Sequence, residues 1–284
     1  MPRPVVQLFV NPTAGSASSA RVAALRAALE TAEADVIVTQ AGTGLLTVDE
    51  QATHVCSVGG DGTLRHVAAA VHRASRPIRL SLYPAGTVNL LARECGYRMT
   101  PSAFAKRLLG SQVRLHHHAL IDTIPFFTCA SIGPDSLAVA ALSPRLKRWI
   151  GRAAYGVAFL GVLVGWPRPA LRLQADGRTI DCEAVYIAKG RYYAGPWSFA
   201  PQAAAEVPLL HVVALRRARR RDFLRFLWAL MRRTDLGHDP NLLRFSCTAL
   251  SIEGDDPSPL QADGDIVARL PVRILLDPTP LPFA

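Results

Sequence analysis

The segment Val58–Thr63 places three glycines, an aspartate and a threonine within six residues. Because glycine has no Cβ, its backbone N–H group can approach an anion closely. A helix that begins here would add unpaired N–H groups and a positive dipole end, and Thr63 is predicted to be its N-cap. The glycines are therefore expected to clear space for a phosphate group. The carboxylate of Asp61 would repel a bare phosphate, so a metal ion or a substrate hydroxyl is expected beside it.

A sharp strand-to-helix turn that needs glycine and an acidic cap would explain the same residues, and turn chemistry alone does not choose between the two interpretations. Two further polar clusters favour a ligand site. Asn-Pro-Thr-Ala-Gly spans Asn11–Gly15 and Gly-Thr-Val-Asn spans Gly86–Asn89, each shortly after an apolar run. If those runs are parallel strands, the three clusters converge at the carboxyl edge of one sheet, where open α/β sheets bind ligands.

Strand and helix patterns alternate in the first third of the chain. Continuous apolar runs predict buried parallel strands, and apolar residues at helical spacing, such as Val22, Leu25 and Leu29, predict helices between them. The predicted strands are Val5–Val10, Asp35–Gln40, His54–Val58 and Ile78–Pro84, and the predicted helices are Ser19–Ala32, the stretch after the glycines to about Arg73, and Val88–Gly96. This alternation with short connections predicts a doubly wound parallel sheet.

The pattern changes after about Leu115 to short strands separated by turn residues. Asp-Gly pairs beginning at Asp176 and Asp263 are typical of tight hairpins, because both residue types tolerate a positive φ. Two helices interrupt this β-rich part, one around Pro144–Val164 and one over Arg220–Arg233. We therefore expect an α/β domain followed by a domain that is mostly antiparallel β.

The 284 residues carry a net charge of +10, which favours anionic partners such as nucleotide phosphates, nucleic acid or an acidic lipid surface. No nucleic-acid-binding motif accompanies this charge, so nucleic acid is not expected as a partner. No apolar stretch reaches the roughly 20 residues that span a bilayer. The five cysteines are scattered without a CxxC pair, which indicates neither a disulfide framework nor a zinc site. A cytoplasmic protein is therefore expected.

The segments "NPTAG", "GGDGT" and "PAGTVNLLARE", in this order, resemble the catalytic domain of the diacylglycerol kinase-like lipid kinases. That family includes bacterial diacylglycerol kinases and the sphingosine and ceramide kinases. NAD kinases share GGDGT but are not similar to the third segment. The resemblance spans nearly the whole chain, because it continues in the segments "IDTIPFFTCASIGPDSLAVAAL", "KRWIGRAAYGV", "YYAGPWSFAPQA" and "ADGD".

The resemblance implies an ATP-dependent kinase that transfers the γ-phosphoryl group, with Mg²⁺, to the hydroxyl of a lipid alcohol such as diacylglycerol or a sphingoid lipid. It implies an NAD kinase-like α/β domain over residues 1–118, joined by the tail 272–284, a β-sandwich acceptor domain over residues 119–271, and an active cleft between them. A role in phospholipid biosynthesis is expected, with transient contact with the anionic inner membrane surface. The identity of the lipid and the oligomeric state, a homodimer included, stay open.

The resemblance also implies the site residues, position by position. Asp61 would hold Mg²⁺ directly or through water. The family's Asp-Gly-Glu segment falls on Asp263, Gly264 and Asp265, and the proton acceptor would be Asp265 or, two residues earlier, Asp263. The nucleotide contacts would be Asn11, Pro12, Thr13, Gly15, Thr39, Gly59, Gly60, Asp61, Gly62, Thr63, Thr87 and Asn89.

Two departures from the family fall in the second half of the chain. Asp265 is one methylene shorter than the family's glutamate, and proton transfer needs a hydrogen-bond reach of roughly 2.6–3.2 Å. Val207 and Pro208 stand where the family usually has an Asp-Gly pair that helps to hold a second Mg²⁺. Valine has no side-chain ligand for a hard cation, so either Glu206 substitutes or that metal site is absent.

A third departure follows the glycine segment, where Arg65 and His66 stand at positions that are commonly Asn and Glu in the family. A solvated helix face explains this pair better than contact with a more anionic acceptor. The departures leave other functions open. These are a weakly active or non-catalytic relative that binds nucleotide or lipid, and an NAD kinase-like or phosphofructokinase-like phosphotransferase.

The segment Arg216–Thr234 combines arginines with an apolar helical face, formed by Phe223, Phe226, Leu227 and Leu230. Such a helix could lie on an anionic membrane surface. A helix this apolar more often faces a core, so packing within the protein is favoured.

The consecutive histidines and most of the large aromatic residues are expected to have packing roles. His116–His118 lacks a companion Cys or carboxylate pattern, which argues against a metal site. Tyr192, Tyr193 and Trp197 lie near a Gly195 turn and are the aromatic residues that could instead line an acceptor cleft. The remaining tryptophans expected in packing roles are Trp149, Trp166 and Trp228.

Overall fold

The computed structural model describes residues 3–42, 44–97, 100–141, 160–162, 165–234, 239–254 and 257–284. The chain divides into two compact units. The first unit runs to His116 and includes Thr279–Ala284, and the second unit is His117–Pro278. The predicted "KRWIGRAAYGV" segment, Trp149 and nearly all of the helix around Pro144–Val164 lie outside the described residues.

The first unit is built on one six-stranded sheet. Its strands are β1 Val5–Val10, β2 Asp35–Gln40, β3 His54–Gly59, β4 Arg79–Pro84, β5 Arg114–His116 and β18 Leu281–Phe283. The strand order is β2-β1-β3-β4-β18-β5, and all neighbouring strands are parallel except β18 and β5, which are antiparallel. Its helices are α1 Ser19–Thr31, α2 Asp61–Ala74, α3 Leu90–Cys95 and α4 Pro101–Leu108. The predicted α/β domain with a parallel sheet is confirmed.

The apolar runs explain the burial of this sheet. Every residue of β3 is buried, as expected for a strand with neighbours on both sides and covered faces. On α1, Leu25 and Leu29 are fully buried while Val22 is half-buried. The side chain of Ser18 caps α1 by accepting a hydrogen bond from the backbone N–H of Arg21 at 3.3 Å.

The second unit contains two six-stranded sheets in which all neighbouring strands are antiparallel. The first five strands are β6 Ala119–Ile121, β7 Ile124–Phe126, β8 Cys129–Ile132, β9 Leu171–Ala175 and β10 Arg178–Cys182. The other seven are β11 Ala184–Ala188, β12 Leu210–Leu215, β13 Leu242–Cys247, β14 Ala249–Gly254, β15 Pro259–Ala262, β16 Asp265–Arg269 and β17 Val272–Leu276. Among the described residues its helices include α5 Pro134–Ala140 and α6 Arg220–Arg232. The β-rich second half is therefore confirmed.

One core serves both sheets, whose orders are β10-β9-β14-β17-β6-β7 and β13-β12-β11-β8-β15-β16. In β9 the side chains alternate, so that Leu171, Leu173 and Ala175 are buried and the residues between them are exposed. These side chains lie in one apolar cluster with Val185 and Ile187 of the other sheet.

The two predicted Asp-Gly hairpins have the expected backbone. Asp176 and Gly177 have φ values of 49° and 72° between β9 and β10, and Asp263 and Gly264 have values of 50° and 88° between β15 and β16. Positive φ at both central residues matches the right-handed twist of the flanking strands.

The chain returns to the first unit later than the sequence indicates. The predicted tail began at residue 272, but β17 (Val272–Leu276) is hydrogen-bonded between β14 and β6 of the second unit. Only residues from Thr279 onward belong to the first unit, whose first segment ends at His116 rather than at residue 118.

Helix α6 packs within the second unit through the apolar face that was considered as a membrane contact. Phe223, Phe226 and Leu230 are buried, and the Phe226 ring lies 4.8 Å from the ring of Tyr186 on β11. Packing is therefore the correct interpretation for this face. Within the described residues, no helix is long and apolar enough to cross a membrane.

Candidate active site

The glycine segment connects β3 to α2. Gly60 is the N-cap residue with φ −104° and ψ −173°, and the helix begins at Asp61. The predicted N-cap, Thr63, lies instead in the first helical turn, because the helix begins three residues earlier than that assignment requires. Gly60 has no side chain with which to cap α2. The first turn of a helix carries N–H groups and a positive dipole end that favour an anion.

Hydrogen bonds join the three polar clusters at the carboxyl edge of the sheet. Asn11 donates from Nδ2 to Thr63 Oγ1 at 2.9 Å. The backbone N–H of Ser16 donates to the carbonyl of Ala85 at 3.0 Å, and the N–H of Ala85 donates to the carbonyl of Gly59 at 2.8 Å. The clusters thus form one connected surface, as the strand order predicts.

The glycines are needed because two backbone segments approach each other closely. A Cβ on Gly86 would lie 2.5 Å from Cα of Gly60, and a Cβ on Gly59 would lie 2.5 Å from Thr63 Oγ1. None of these glycines has a positive φ. Gly59 and Gly86 therefore make room for the protein's own chain, and the expectation that the glycine segment also clears space for a phosphate stays a prediction.

Asp61 has a protein partner that the sequence did not suggest. Its side chain is buried, with the residue 6% exposed, and accepts hydrogen bonds from the backbone N–H groups of Leu90 at 2.8 Å and Leu91 at 3.1 Å. These are the first two residues of α3, whose N-cap residue Asn89 makes no side-chain cap in the described chain. A carboxylate at a helix N-terminus is favourable without any metal. Asp61 therefore has a structural partner in α3, and the expected metal ion or hydroxyl beside it stays a prediction.

Asn89 shapes the loop that follows β4. Its backbone is left-handed, with φ 55°, and its side chain forms two hydrogen bonds with the backbone of Gly86, at 3.0 Å and 2.8 Å. Thr87 is exposed at the tip of this loop. On the neighbouring loop Pro12, Thr13 and Gly15 are exposed, while Gly62 is half-buried in the first turn of α2.

Thr39 lies one strand away on the same edge. It is half-buried on β2, and its Oγ1 accepts a hydrogen bond from Nε2 of buried Gln7 at 3.0 Å. Gln7 also accepts a hydrogen bond from the N–H of Asp49 at 2.8 Å. The described hydrogen bonds connect Thr39 to this neighbouring loop rather than to the three clusters.

Arg21 belongs to this edge, although its place in an ordinary helical pattern gave no signal. Its guanidinium donates to the carbonyl of Ser16 at 3.0 Å and to the carbonyl of Pro84 at 2.8 Å, and it lies 4.9 Å from the centre of the Tyr83 ring. It therefore brings a positive charge to the loops that follow β1 and β4.

The pair Arg65 and His66 on α2 was expected to form a solvated helix face. Arg65 is buried and only His66 is exposed, so that prediction is wrong for Arg65.

The carboxylate of Asp263 is bonded to the backbone of the second unit. It accepts hydrogen bonds from the N–H groups of Phe127 and Thr128, each at 2.9 Å, from Thr128 Oγ1 at 2.5 Å, and from the N–H of Cys129 at 3.3 Å. Three of these donors share Oδ1 and one reaches Oδ2, so the carboxylate is held firmly in place. The geometry assigns Asp263 to fixing the chain between β7 and β8 to the β15–β16 turn.

Asp265 follows on the same turn and begins β16, half-buried. The turn is held by Gln261, whose Oε1 accepts from the N–H of Gly264 at 3.2 Å and whose Nε2 donates to Ser131 Oγ at 2.7 Å. Asp265 lies two residues beyond Asp263, outside the backbone contacts that hold Asp263, and stays a predicted proton acceptor.

A buried polar group near this turn was missed because no local sequence signal marks it. Asp135 Oδ2 accepts hydrogen bonds from Ser131 Oγ at 2.5 Å and from the hydroxyl of Tyr193 at 2.8 Å. Burial raises the pKa of Asp135, and these hydrogen bonds oppose the rise. Tyr193 is thus held by Asp135, and its N–H donates to the carbonyl of Trp197 at 2.8 Å.

The three consecutive histidines have packing and hydrogen-bond roles. The His116 ring stacks on Phe283 at 4.4 Å, and His118 Nε2 lies 3.3 Å from a carboxylate oxygen of Asp277. Across the described ranges, no group of three His, Cys, Asp or Glu side chains is arranged to hold a metal ion.

Comparison with known proteins gives matches over both units. The model of the diacylglycerol kinase catalytic domain matches residues 5–120. The model of the YegS C-terminal NAD kinase beta sandwich-like domain matches residues 128–284.

Curated relatives are similar to part of the chain. A Pseudomonas fluorescens protein named "Probable lipid kinase YegS-like" is 34% identical over 165 residues, which are 57% of this chain and 55% of that protein. A protein of the same name from Pseudomonas aeruginosa is 33% identical over 165 residues, covering 55% of this chain and 52% of the relative. The chain thus spans about half the length of the curated relatives it matches.

Solved structures are similar along the whole chain. A crystal structure of a diacylglycerol kinase from Bacillus anthracis has a TM-score of 0.72 at 16% identity, over 99% of this chain and 96% of that one. Another structure from the same organism has a TM-score of 0.76 at 17% identity, with the same coverage. At this identity the likeness establishes the fold. Because the two family models together match nearly the entire sequence, the chain belongs to the diacylglycerol kinase-like lipid kinase family.

Proposed function

We propose that the chain is an ATP-dependent kinase that transfers the γ-phosphoryl group of ATP to the hydroxyl of a lipid alcohol, such as diacylglycerol or a sphingoid lipid. The observation that carries this proposal is the N-terminus of α2, which follows a glycine N-cap at an edge where three polar clusters are hydrogen-bonded together. Helix N-termini approached by glycine bind phosphate groups through their N–H donors and dipole. Membership of a lipid kinase family supports the acceptor class.

In this proposal the first unit binds the nucleotide. The first N–H groups of α2 face the phosphates, and exposed Gly15 and Thr87 lie on the two loops bonded to that helix. Arg21 adds positive charge to the same loops. Asp61 acts by orienting α3, and through it the loop that carries Thr87 and Asn89.

Mg²⁺ bound with ATP would neutralise phosphate charge during transfer. Both carboxylate oxygens of Asp61 accept α3 amides, so Asp61 would reach such an ion through water. Since the described residues offer no cluster of three metal-binding side chains, the phosphates and water would supply most ligands.

The second unit supplies the proton acceptor. The acceptor hydroxyl oxygen forms a bond to the γ-phosphorus while the bond to the bridging oxygen of ADP breaks, and Asp265 takes the hydroxyl proton. Gln261 fixes the turn that carries Asp265, because it accepts a hydrogen bond from the N–H of Gly264 and donates one to Ser131 Oγ. We further propose that the two antiparallel sheets form the sandwich that the family model names.

A radiolabelled-ATP assay with a panel of acceptors tests the function. Diacylglycerol, a sphingoid base, ceramide and NAD⁺ are compared, with Asp265→Asn as the inactive variant and Asp181→Asn, at an exposed aspartate, as its matched control. Label is expected in at least one lipid with the wild type and the control, and not with Asp265→Asn. Label in NAD⁺ alone would favour an NAD kinase-like enzyme, and ATP binding without transfer would favour a non-catalytic relative.

A further inference from the structure

Lys189 is a fully buried lysine whose charge is held by backbone. The residue directly follows β11 and is 0% exposed. Its ammonium group donates to the carbonyl oxygens of Ala204 at 3.1 Å, Ala205 at 3.0 Å and Val207 at 3.0 Å. An ammonium group has three donors, so these three carbonyls satisfy it.

The carbonyls converge because the chain over 204–207 is tightly turned. The N–H of Val207 donates back to the carbonyl of Ala204 at 3.1 Å, and the N–H of Leu209 donates to the carbonyl of Val207 at 2.9 Å. Several carbonyl oxygens aimed at one point are a typical ligand set for a hard cation. They repel one another unless a positive charge lies among them.

This turn is the place where the family resemblance implies a second Mg²⁺, and its residues do not fit one. Val207 has no ligand atom in its side chain, and the side chain of Glu206 is exposed. The ammonium of Lys189 already occupies the point where the carbonyls meet, at hydrogen-bond distances near 3 Å rather than the roughly 2.1 Å that Mg²⁺ requires.

We infer that Lys189 is the resident cation of the 204–207 turn, and that the turn keeps its shape without a divalent metal and does not bind one. The turn is coupled to its surroundings, since the carbonyl of Ala205 also accepts the N–H of His117 at 2.9 Å. The pKa of His211 is lowered by burial and, secondly, by the positive charge of Lys189.

Thermal unfolding of the full chain, without nucleotide, tests this inference in sodium chloride and in magnesium or calcium chloride at equal ionic strength. The wild type is expected to show the same midpoint in all three salts. Lys189→Met should lower the midpoint by several degrees, because each of the three carbonyls loses its charged donor and keeps only a backbone N–H. Lys106→Met, at an exposed lysine of α4, is the matched control and should not change it.

A double variant keeps the test informative if Lys189→Met folds poorly. Combining Lys189→Met with Val207→Asp adds a carboxylate to the three carbonyls, so its midpoint is expected to rise with millimolar Mg²⁺ or Ca²⁺. The inference would be overturned if Mg²⁺ or Ca²⁺ raised the unfolding midpoint of the wild type, or if Lys189→Met left the midpoint unchanged. It would also be overturned if neither ion raised the midpoint of the double variant. None of these readouts depends on kinase activity.

A second observation concerns the outer face of α6. Leu224, Trp228 and Met231 are 46%, 55% and 43% exposed. Their spacing of four and then three residues places them in one line along the helix. This exposed stripe is distinct from the buried face formed by Phe223, Phe226 and Leu230.

Positive charge surrounds the exposed stripe. The segment 216–234 contains eight arginines and a single acid, Asp222. The guanidinium of Arg232 lies 4.6 Å over the ring of Trp228. At the other end of the helix an open concavity of about 470 Å³ is lined by Trp166, Arg168, Arg219, Arg220 and Arg221.

We infer that this face of α6 docks on an anionic phospholipid surface, with the stripe among the acyl chains and the arginines at the headgroups. Nucleic acid would match the arginines but leave Leu224 and Met231 in water. A bilayer satisfies both, which is the arrangement of interfacial amphipathic helices. The biological purpose of such docking rests on the proposed lipid kinase function, but the docking itself does not.

Vesicle flotation tests the docking surface. The wild type should float with vesicles of phosphatidylcholine and phosphatidylglycerol, less at high salt, and not with phosphatidylcholine alone. Trp228→Ser with Met231→Ser should lose most of the bound fraction, whereas Leu115→Ser, at an exposed leucine of the first unit, should not. The inference would be overturned if the wild type did not float, or if the Trp228→Ser and Met231→Ser double variant floated as well as the wild type. Transfer to a water-soluble short-chain diacylglycerol separates this result from failure of the kinase proposal.

Discussion

Individual glycines of the first unit stabilise the fold because, without a Cβ, they allow another chain segment to approach closely. Gly86→Ala would place a methyl group 2.5 Å from Cα of Gly60 and 2.8 Å from Asn89 Oδ1, and backbone cannot move aside cheaply. We expect a loss of about 1–3 kcal/mol in the free energy of unfolding, measured with urea. Gly42→Ala, whose Cβ meets nothing within 4 Å, should change it by less than about 0.5 kcal/mol.

The two aspartates of the β15–β16 turn should separate into a structural and a catalytic residue. Asp263→Asn replaces an acceptor oxygen with a donor that faces buried N–H groups, so the free energy of unfolding is expected to fall by about 3 kcal/mol. Asp265→Asn should change stability by less than about 1 kcal/mol and abolish turnover. Denaturant unfolding and the ATP assay of both variants check this. A stable Asp263→Asn protein would contradict the structural role.

His54, at the start of β3, makes stability depend on pH. Burial, and secondly the charge of Arg79, lowers its pKa from 6.5 to about 4. Between those values the unfolded chain binds more protons than the folded one, so stability falls as the pH falls from about 6.5 towards 4. Between pH 7 and pH 5 the wild type should lose about 2 kcal/mol more than His54→Gln, measured by urea unfolding at both values. Parallel losses would exclude His54 as the source.

At the scale of elements, the candidate site depends on one helix holding another. Helix α3 has six residues, too few to be stable alone, and its first two N–H groups are bonded to the carboxylate of Asp61 on α2. The loop with Thr87 and Asn89 leads directly into α3. A change at Asp61 therefore reaches the nucleotide loops through packing as well as through charge.

Asp61→Asn tests this coupling. The variant keeps one acceptor oxygen but turns an amide NH₂ toward an α3 N–H, so we expect a loss of about 1–2 kcal/mol in stability together with weaker ATP binding. Urea unfolding and nucleotide titration measure the two effects. Loss of activity with unchanged stability and unchanged ATP binding would instead assign Asp61 a role in the chemical step alone.

At the scale of the molecule, sequence patterns predict what depends on local apolar order. The bounds of β1 and β2 match the apolar runs, and the Asp176 hairpin follows from its turn residues. Helix α4 was not predicted, although its buried residues Phe104, Ala105 and Leu108 have helical spacing. Family motifs located the candidate site but not its internal partners. The Asp61 contact with Leu90 joins residues 29 positions apart, and the burial of Lys189 contradicts the usual exposure of lysine.

The first unit needs residues from both ends of the described chain, since β18 pairs with β4 and β5, and the Tyr97 hydroxyl donates to the carbonyl of Ala284 at 2.8 Å. Phe283 is buried against His116, so Phe283→Ala should cost about 3–5 kcal/mol. Hydrogen exchange should quicken in β4 and β5 and stay unchanged in β9 and β14. Leu115→Ala, at an exposed neighbour on β5, is the control. Equal quickening in both units would mean that they unfold as one cooperative body, in which case the final strand stabilises the second unit as well.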